Sequence, residues 1–453
     1  MISNTECQPV NTMIDTLVTQ GETAATVLAQ LSQETIDSIV EAMYRAGYAQ
    51  SETLAKLAFE ETGRGVYEDK AVKNQFATET VWSHMREQRT VGVIARNDDQ
   101  GLTHIAAPMG VICGVTPTTN PTSTTLFKAL IAIKSANAIV FAFHPSAQQS
   151  SKAAAEVVYQ AACAAGAPEH CIQWIETPSV EATRTLMNHE GVALVLATGG
   201  AGMVASAYST GKPALGVGPG NVPAYIERSA NITQAVQDVI ASKTFDNGMI
   251  CASEQAIIAE ACIYDDVKAA LSACHAYVVP RSDLQALENV VMNVEKTAVN
   301  PDVVGRSACE IAARAKIDIP SDTRVLVAEI DDVGSHVALS HEKLSPVLAL
   351  IRATDHECAL TYCEQMLALG GLGHTAAIHT EDAARADAFA LRMQACRVLV
   401  NTPSATGGIG GIHNALVPSL TLGCGSYGKN AVSHNITATD LINVKVCAQT
   451  LIK

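Results

Sequence analysis

The hydrophobic period of the chain changes along its length. Up to about residue 90, apolar positions recur three and four apart over residues 24–45, 54–60 and 75–85, the spacing of helices that bury one face. Gly63 and Gly65 punctuate this stretch, and its acidic and polar positions read as solvated faces. The period then shortens to two. Val91, Val93 and Ile94 lead into the polar turn Asn97-Asp98-Asp99-Gln100-Gly101, and residues 102–106 answer beyond it, which is a hairpin signal. Residues 111–115 form a continuous apolar run, read as a buried strand, and residues 122–135 read as a helix. Pro121 suits the first helical turn, and Asn120 suits the capping position before it.

From Asn137 onward strands and helices alternate: a strand over 138–143, a helix over 148–164, a strand over 171–175, a helix over 180–187 and a strand over 192–197. This is the rhythm of a parallel sheet with helices on both faces. Thr198-Gly199-Gly200-Ala201-Gly202 leaves the last of these strands and opens another helix, a turn able to present backbone N–H groups to a phosphate. No G-x-G-x-x-G follows the first strand, so the usual dinucleotide fingerprint is missing. The glycine-rich segment KPALGVGPGNVP at 212–223 precedes a second α/β unit that runs to about Gly425. Loops at 402–411 (TPSATGGIGG) and 422–428 (LGCGSYG) have the composition of mobile segments that rim a substrate funnel, and residues 432–446 read as a last strand.

At 453 residues the chain exceeds one simple core, so two or three domains are expected. A formal net charge of −15 argues against nucleic acid or an anionic membrane as the main partner. No N-terminal stretch has the basic-then-apolar pattern of a signal peptide, and the best apolar run, 129–143, is short and broken by Lys134 and Asn137. The 13 cysteines include no Cys-x-x-Cys pair. Neither zinc nor a disulfide framework is expected, and a reducing cytoplasm fits.

The candidate chemistry concentrates in FDNGMICASEQ, residues 245–255. Cys251 follows Gly248 and two apolar residues, just before a buried-strand run at 255–259. Gly248 permits a bend or close approach that a side chain would block. A cysteine at such a bend can present its sulfur to a cavity. The thiolate is the nucleophile, so a catalytic site must lower the pKa or supply a base. On local features alone, the commoner reading is a cysteine packed as a small hydrophobe.

The same stretch resembles the catalytic-cysteine segment of the aldehyde dehydrogenase superfamily. Within it the closest likeness is to the CoA-acylating branch, in the form found in the aldehyde dehydrogenase half of bifunctional aldehyde–alcohol dehydrogenases. The resemblance runs from about Glu60 to about Lys445. It implies an α/β fold with a Rossmann-like parallel-sheet domain for the dinucleotide, residues 1–89 and 110–223. A second α/β catalytic domain would span 224–428, and a small β oligomerisation flap would combine 90–109 with 429–453. The last strand is expected to meet the hairpin of a neighbouring subunit, in a homodimer or larger homo-oligomer.

By the same resemblance Cys251 is the nucleophile, and Asn120 donates its amide to the oxyanion of a thiohemiacetal. A helix cap suits Asn120 equally well, so both roles stay open. Glu342, in HEKLSPV, is implied to hold the nicotinamide ribose hydroxyls. Gly199, Gly200, Thr116 and Pro117 are expected along the cofactor. His144 and Pro145 stand where hydrolytic relatives carry a lysine-proline pair for the adenosine ribose. His374, in GGLGHT, matches a histidine of the acylating branch, implied to polarise the acyl group or take the CoA thiol proton. The plainer reading is a histidine merely satisfied by hydrogen bonds.

Hydrolytic members carry a water-activating glutamate in the glycine-rich segment. In the register set by Gly220 and Pro223, that position is Val217. The expected function is therefore oxidation of a short aldehyde, acetaldehyde by closest resemblance, to its acyl-CoA, and the reverse, through a thioester on Cys251. NAD is the expected cofactor and coenzyme A the co-substrate. The alternatives are the same chemistry on succinate semialdehyde or sulfoacetaldehyde, a hydrolytic dehydrogenase, and an assembly role. Val217 weighs against hydrolysis. Cys251, Asn120 and Glu342 together weigh against a purely structural part.

Overall fold

Three sheets organise the chain in the computed structural model, which describes residues 10–451. The first is parallel and five-stranded, in the order Ile172–Trp174, Ala138–Ala142, Val111–Val115, Val192–Thr198, Ala214–Val217. The chain starts in the middle, runs to one edge, and returns to build the other side. The direction of winding therefore reverses between Val111–Val115 and Val192–Thr198, and ligands of such sheets bind outside the carboxyl ends at that reversal. Strand Val111–Val115 is buried throughout, as a central parallel strand should be. Helix Pro121–Lys134 is buried at every position, which matches its apolar sequence.

The second sheet is parallel and seven-stranded, in the order Ala276–Val278, Val325–Ile330, Val347–Ala353, Glu254–Glu260, Val222–Ile226, Gly373–His379, Ala395–Val400. The third is antiparallel, with hairpin strands Gly92–Asn97 and Leu102–Pro108 followed by Ile442–Ala448.

The expected α/β class and most elements appear, with three corrections. The helical run at 24–45 is two helices, Val10–Leu28 and Gln33–Ala49. Ser32 separates them, its hydroxyl accepting from Thr35 N at 3.2 Å as an N-cap. The expected division after residue 223 cuts strand Val222–Ile226, which pairs wholly within the seven-stranded sheet, so the sheets part between Val217 and Val222. The final strand begins at Ile442 rather than 432, because Ile436, Ala438 and Leu441 are buried against the first core. That strand pairs along one edge with the hairpin of its own chain, from Ile442 opposite Pro108 to Ala448 opposite Leu102. Among the described residues no helix is long and apolar enough to cross a membrane.

Candidate active site

The carboxyl edge of the five-stranded sheet faces the amino edge of the seven-stranded sheet across a cavity of about 500 Å³. Val115, Ala142, Thr198 and Val217 end their strands and line it. From the other side come Gly218 and Pro219, which precede strand Val222–Ile226, Cys251, which precedes Glu254–Glu260, and Glu342, which precedes Val347–Ala353. Two sheets meeting head to tail thus put cofactor-type turns and a cysteine loop around one space.

The cysteine loop is unusual backbone. Asp246, Asn247 and Gly248 have φ of 49, 51 and 75°, three left-handed residues in succession. Asn, Asp and Gly tolerate that region best, which is why this triplet stands here. Gly248 also lies so near residue 345 that a Cβ would sit 3.0 Å from Ser345 O. Gly220 approaches more closely still, since a Cβ there would fall 2.1 Å from Cys251 O. The loop is therefore clamped between two glycine contacts, and Cys251 faces the cavity half-buried. Burial pushes its thiol up to about 12, with Glu342 and Cys424 acting the same way and Arg397 and its own backbone N–H opposing. The free chain consequently holds Cys251 as a thiol.

Asn120 also lines the cavity. It precedes helix Pro121–Lys134, yet its side chain makes no capping bond. Instead Oδ1 accepts from Lys73 Nζ at 2.6 Å, and Nδ2 donates to Thr119 Oγ1 at 3.1 Å. Of the two roles open for Asn120, the side-chain cap is absent. Lys73 and its partner Asp246 escaped the sequence reading, because nothing local links residues 173 positions apart.

Glu342 lines the cavity half-buried, with Oε1 accepting from Gly220 N at 3.1 Å. Burial raises its carboxyl to about 7, partly offset by the Gly220 N–H and by Lys243 and Lys343. Val217 lines the cavity as an apolar side chain. His374 does not reach it. The imidazole is fully buried behind Gly220, where a Cβ would lie 3.3 Å from its Cγ. Its Nδ1 pairs with Thr375 Oγ1 at 2.9 Å, Nε2 is unpartnered, and burial and Arg397 hold it neutral, well below the ordinary histidine range.

Thr116, Pro117, Gly199, Gly200, His144 and Pro145 all line the cavity. His144 is exposed, and its Nδ1 accepts from Ser146 N at 3.1 Å, capping the short turn Pro145–Ala147. Val115 and Leu196, on adjacent strands, are tied together by Lys128, whose buried Nζ donates to both carbonyl oxygens at 2.5 and 2.8 Å. Thr116, Thr118 and Thr198 carry buried hydroxyls without a partner, all on this cavity. Cβ atoms on Gly200 and Gly218 would meet nothing within 4 Å. Unpartnered hydroxyls, open glycines and the first N–H groups of helix Ala201–Tyr208 fit a dinucleotide's ribose and pyrophosphate. Of the expected funnel loops, Ile409 and Leu422 reach the cavity. Residues 404–408 are not mobile in build: they form a short helix with Ser404 N and Ala405 N bonded to Glu254 and Ser242 at 2.8 Å each. Among the described residues no cluster of three His, Cys, Asp or Glu side chains could hold a metal.

The family model "Aldehyde dehydrogenase family" matches residues 8–286. The chain belongs to the aldehyde dehydrogenase family. An aldehyde-alcohol dehydrogenase of Streptococcus pneumoniae is 55% identical over 399 residues, covering 86% of this chain and 45% of that protein. The chain thus spans about half the length of the aldehyde-alcohol dehydrogenases it matches. An acetylating aldehyde dehydrogenase from Geobacillus thermoglucosidasius has a structure similar at a TM-score of 0.95, with 44% identity and 98% of each chain covered. A propionaldehyde dehydrogenase from Rhodopseudomonas palustris, solved with bound CoA and an acylated cysteine, matches at a TM-score of 0.85 with 28% identity, over 96% of this chain and 97% of that one. Within this family the aldehyde dehydrogenase fold expected from FDNGMICASEQ is the fold observed.

Proposed function

We propose that the chain oxidises a short aldehyde to its acyl-CoA, reversibly, through a thioester on Cys251. The observation that carries this is Val217, an apolar side chain lining the cavity at the position where hydrolytic relatives place their water-activating glutamate. Cys251 Sγ gives up its proton to solvent and bonds the carbonyl carbon, and the Asn120 amide takes the developing negative charge together with a backbone N–H near Cys251. Loss of hydride leaves the thioester. When bound, NAD accepts that hydride, and coenzyme A brings the thiol that releases the acyl group. Thr116, Thr198, Gly199 and Gly200 would hold the dinucleotide, with Glu342 turning from Gly220 N–H to the nicotinamide ribose. His374 stands behind the cavity wall rather than against the acyl group.

Among the described residues no lysine or arginine lines the cavity. That favours an uncharged aldehyde such as acetaldehyde over succinate semialdehyde or sulfoacetaldehyde, and NAD over its 2′-phosphorylated form. The three-stranded sheet leaves Gly92–Asn97 and Ile442–Ala448 as open edges, with Val444 and Val446 exposed. We assign these edges to a homo-oligomer contact. The described cysteines are all free, in keeping with a cytoplasmic enzyme.

The test omits coenzyme A. With NAD and acetaldehyde, NADH should appear as a burst of about one equivalent per site and then stall, because a positioned base is worth about 10²–10⁴ in rate and none serves water here. Coenzyme A should restart turnover, and folded Cys251→Ala should give no burst. Steady release of carboxylate without coenzyme A, at rates near those with it, would overturn the reading and point to Glu342 as the water base.

A further inference from the structure

We propose that Lys73 is a positioning residue for the oxyanion donor: its ammonium pins Asn120 Oδ1 and thereby fixes which end of the amide faces the cavity. This rests on the reading of Asn120 as that donor. Lys73 lies on helix Tyr67–Gln75, is 2% exposed, and comes at Asn120 from outside the cavity lining.

The geometry leaves the amide one orientation. Lys73 Nζ donates to Asp246 Oδ2 at 2.5 Å, to Asn120 Oδ1 at 2.6 Å and to Met249 O at 3.0 Å. An ammonium has three N–H groups and no acceptor, so all of its donors are used. Turning the Asn120 amide over would set its NH₂ against that ammonium, donor against donor. In the observed orientation Nδ2 has two hydrogens, and Thr119 Oγ1 takes one. The other remains for an oxyanion. A cation on the carbonyl end also polarises the amide, which strengthens its N–H groups as donors.

The same ammonium holds the nucleophile's loop. Met249 O lies two residues before Cys251, and Asp246 is the first left-handed residue of the turn. One charge therefore ties the oxyanion donor and the cysteine loop into a common frame. Asp246 is wholly buried and is held besides by Lys70 Nζ at 3.2 Å and Val66 N at 2.8 Å. Burial lowers Lys73 to about 8, and the Asp246 carboxylate opposes this, keeping it largely charged at neutral pH. Lys70 serves Asp246 as well but has no bond to Asn120, which provides the control.

A double-mutant cycle separates positioning from mere support of Asp246. Lys73→Met should lower kcat roughly 10- to 100-fold, approaching the loss of an oxyanion donor, with KM for NAD within about twofold of the original. In an Asn120→Ala background the same substitution should cost less than about threefold, since there is no amide left to orient and Lys70 and Val66 N still hold Asp246 and its loop. Lys70→Met should lower the Tm while keeping kcat within about threefold. Should Lys73→Met not fold, Lys73→Gln takes its place in the cycle under the same criteria. Equal losses in both backgrounds, or a Lys70→Met loss as large as that of Lys73→Met, would overturn the proposal in favour of a structural salt bridge. If Asn120→Ala alone leaves kcat unchanged, the oxyanion reading fails first and takes the proposal with it. A normal Asn120→Ala deficit beside an unaffected Lys73→Met removes the proposal alone.

Discussion

The two walls of the cavity are built on opposite terms. Around Cys251 and Asn120 the supporting groups are saturated: Lys73 uses its three donors and Asp246 both oxygens. Along the carboxyl ends of the five-stranded sheet, the hydroxyls of Thr116, Thr118 and Thr198 have no partner, and Gly200 borders open space. Unpartnered buried polar groups cost stability unless a ligand completes them. The contrast separates a wall preorganised for reacting atoms from one that a bound molecule finishes.

The strongest challenge to this comparison is Asn120→Ala. On the saturated wall it should reduce kcat by roughly 10²–10³, the usual cost of one oxyanion donor, with little change in Tm. A loss of about 1 kcal/mol in stability with near-normal kcat would instead mark Asn120 as a helix cap. Paired glycine substitutions should sharpen the contrast. Gly220→Ala drives a Cβ into Cys251 O, so thermal melting should show a loss of about 1–3 kcal/mol, as for an overpacked site. Gly200→Ala enters open space, so it should melt almost unchanged while weakening NAD binding measured by fluorescence titration. Equal destabilisation by the two would erase the distinction between the walls. The smallest effect belongs to Thr198→Val. Its hydroxyl is unpaired in the free chain, so Tm should hold or rise. NAD affinity should fall roughly 3- to 10-fold, the worth of one hydrogen bond. A lower Tm with unchanged affinity would mean the hydroxyl serves the fold.

The sequence by itself determined the elements and the kind of site. Buried strands such as Val111–Val115 and the strand–helix rhythm from Asn137 were readable because a parallel sheet covered on both faces requires continuous apolar runs. The bend at Gly248 was readable because a left-handed backbone selects Asp, Asn and Gly. Tertiary structure alone decided what those elements face. Which sheet receives strand Val222–Ile226 depends on pairing with Glu254–Glu260 and Gly373–His379, not on its own residues. His374 is sealed behind Gly220 although its motif reads as a catalytic loop. Lys73 reaches Asn120 across 47 positions and Asp246 across 173. A lone lysine in a helix reads as solvated surface, because charge that is buried and paired looks no different in sequence from charge left in water. Only the folded chain brings its counter-ion and its amide within reach, and with them the orientation on which Asn120 depends.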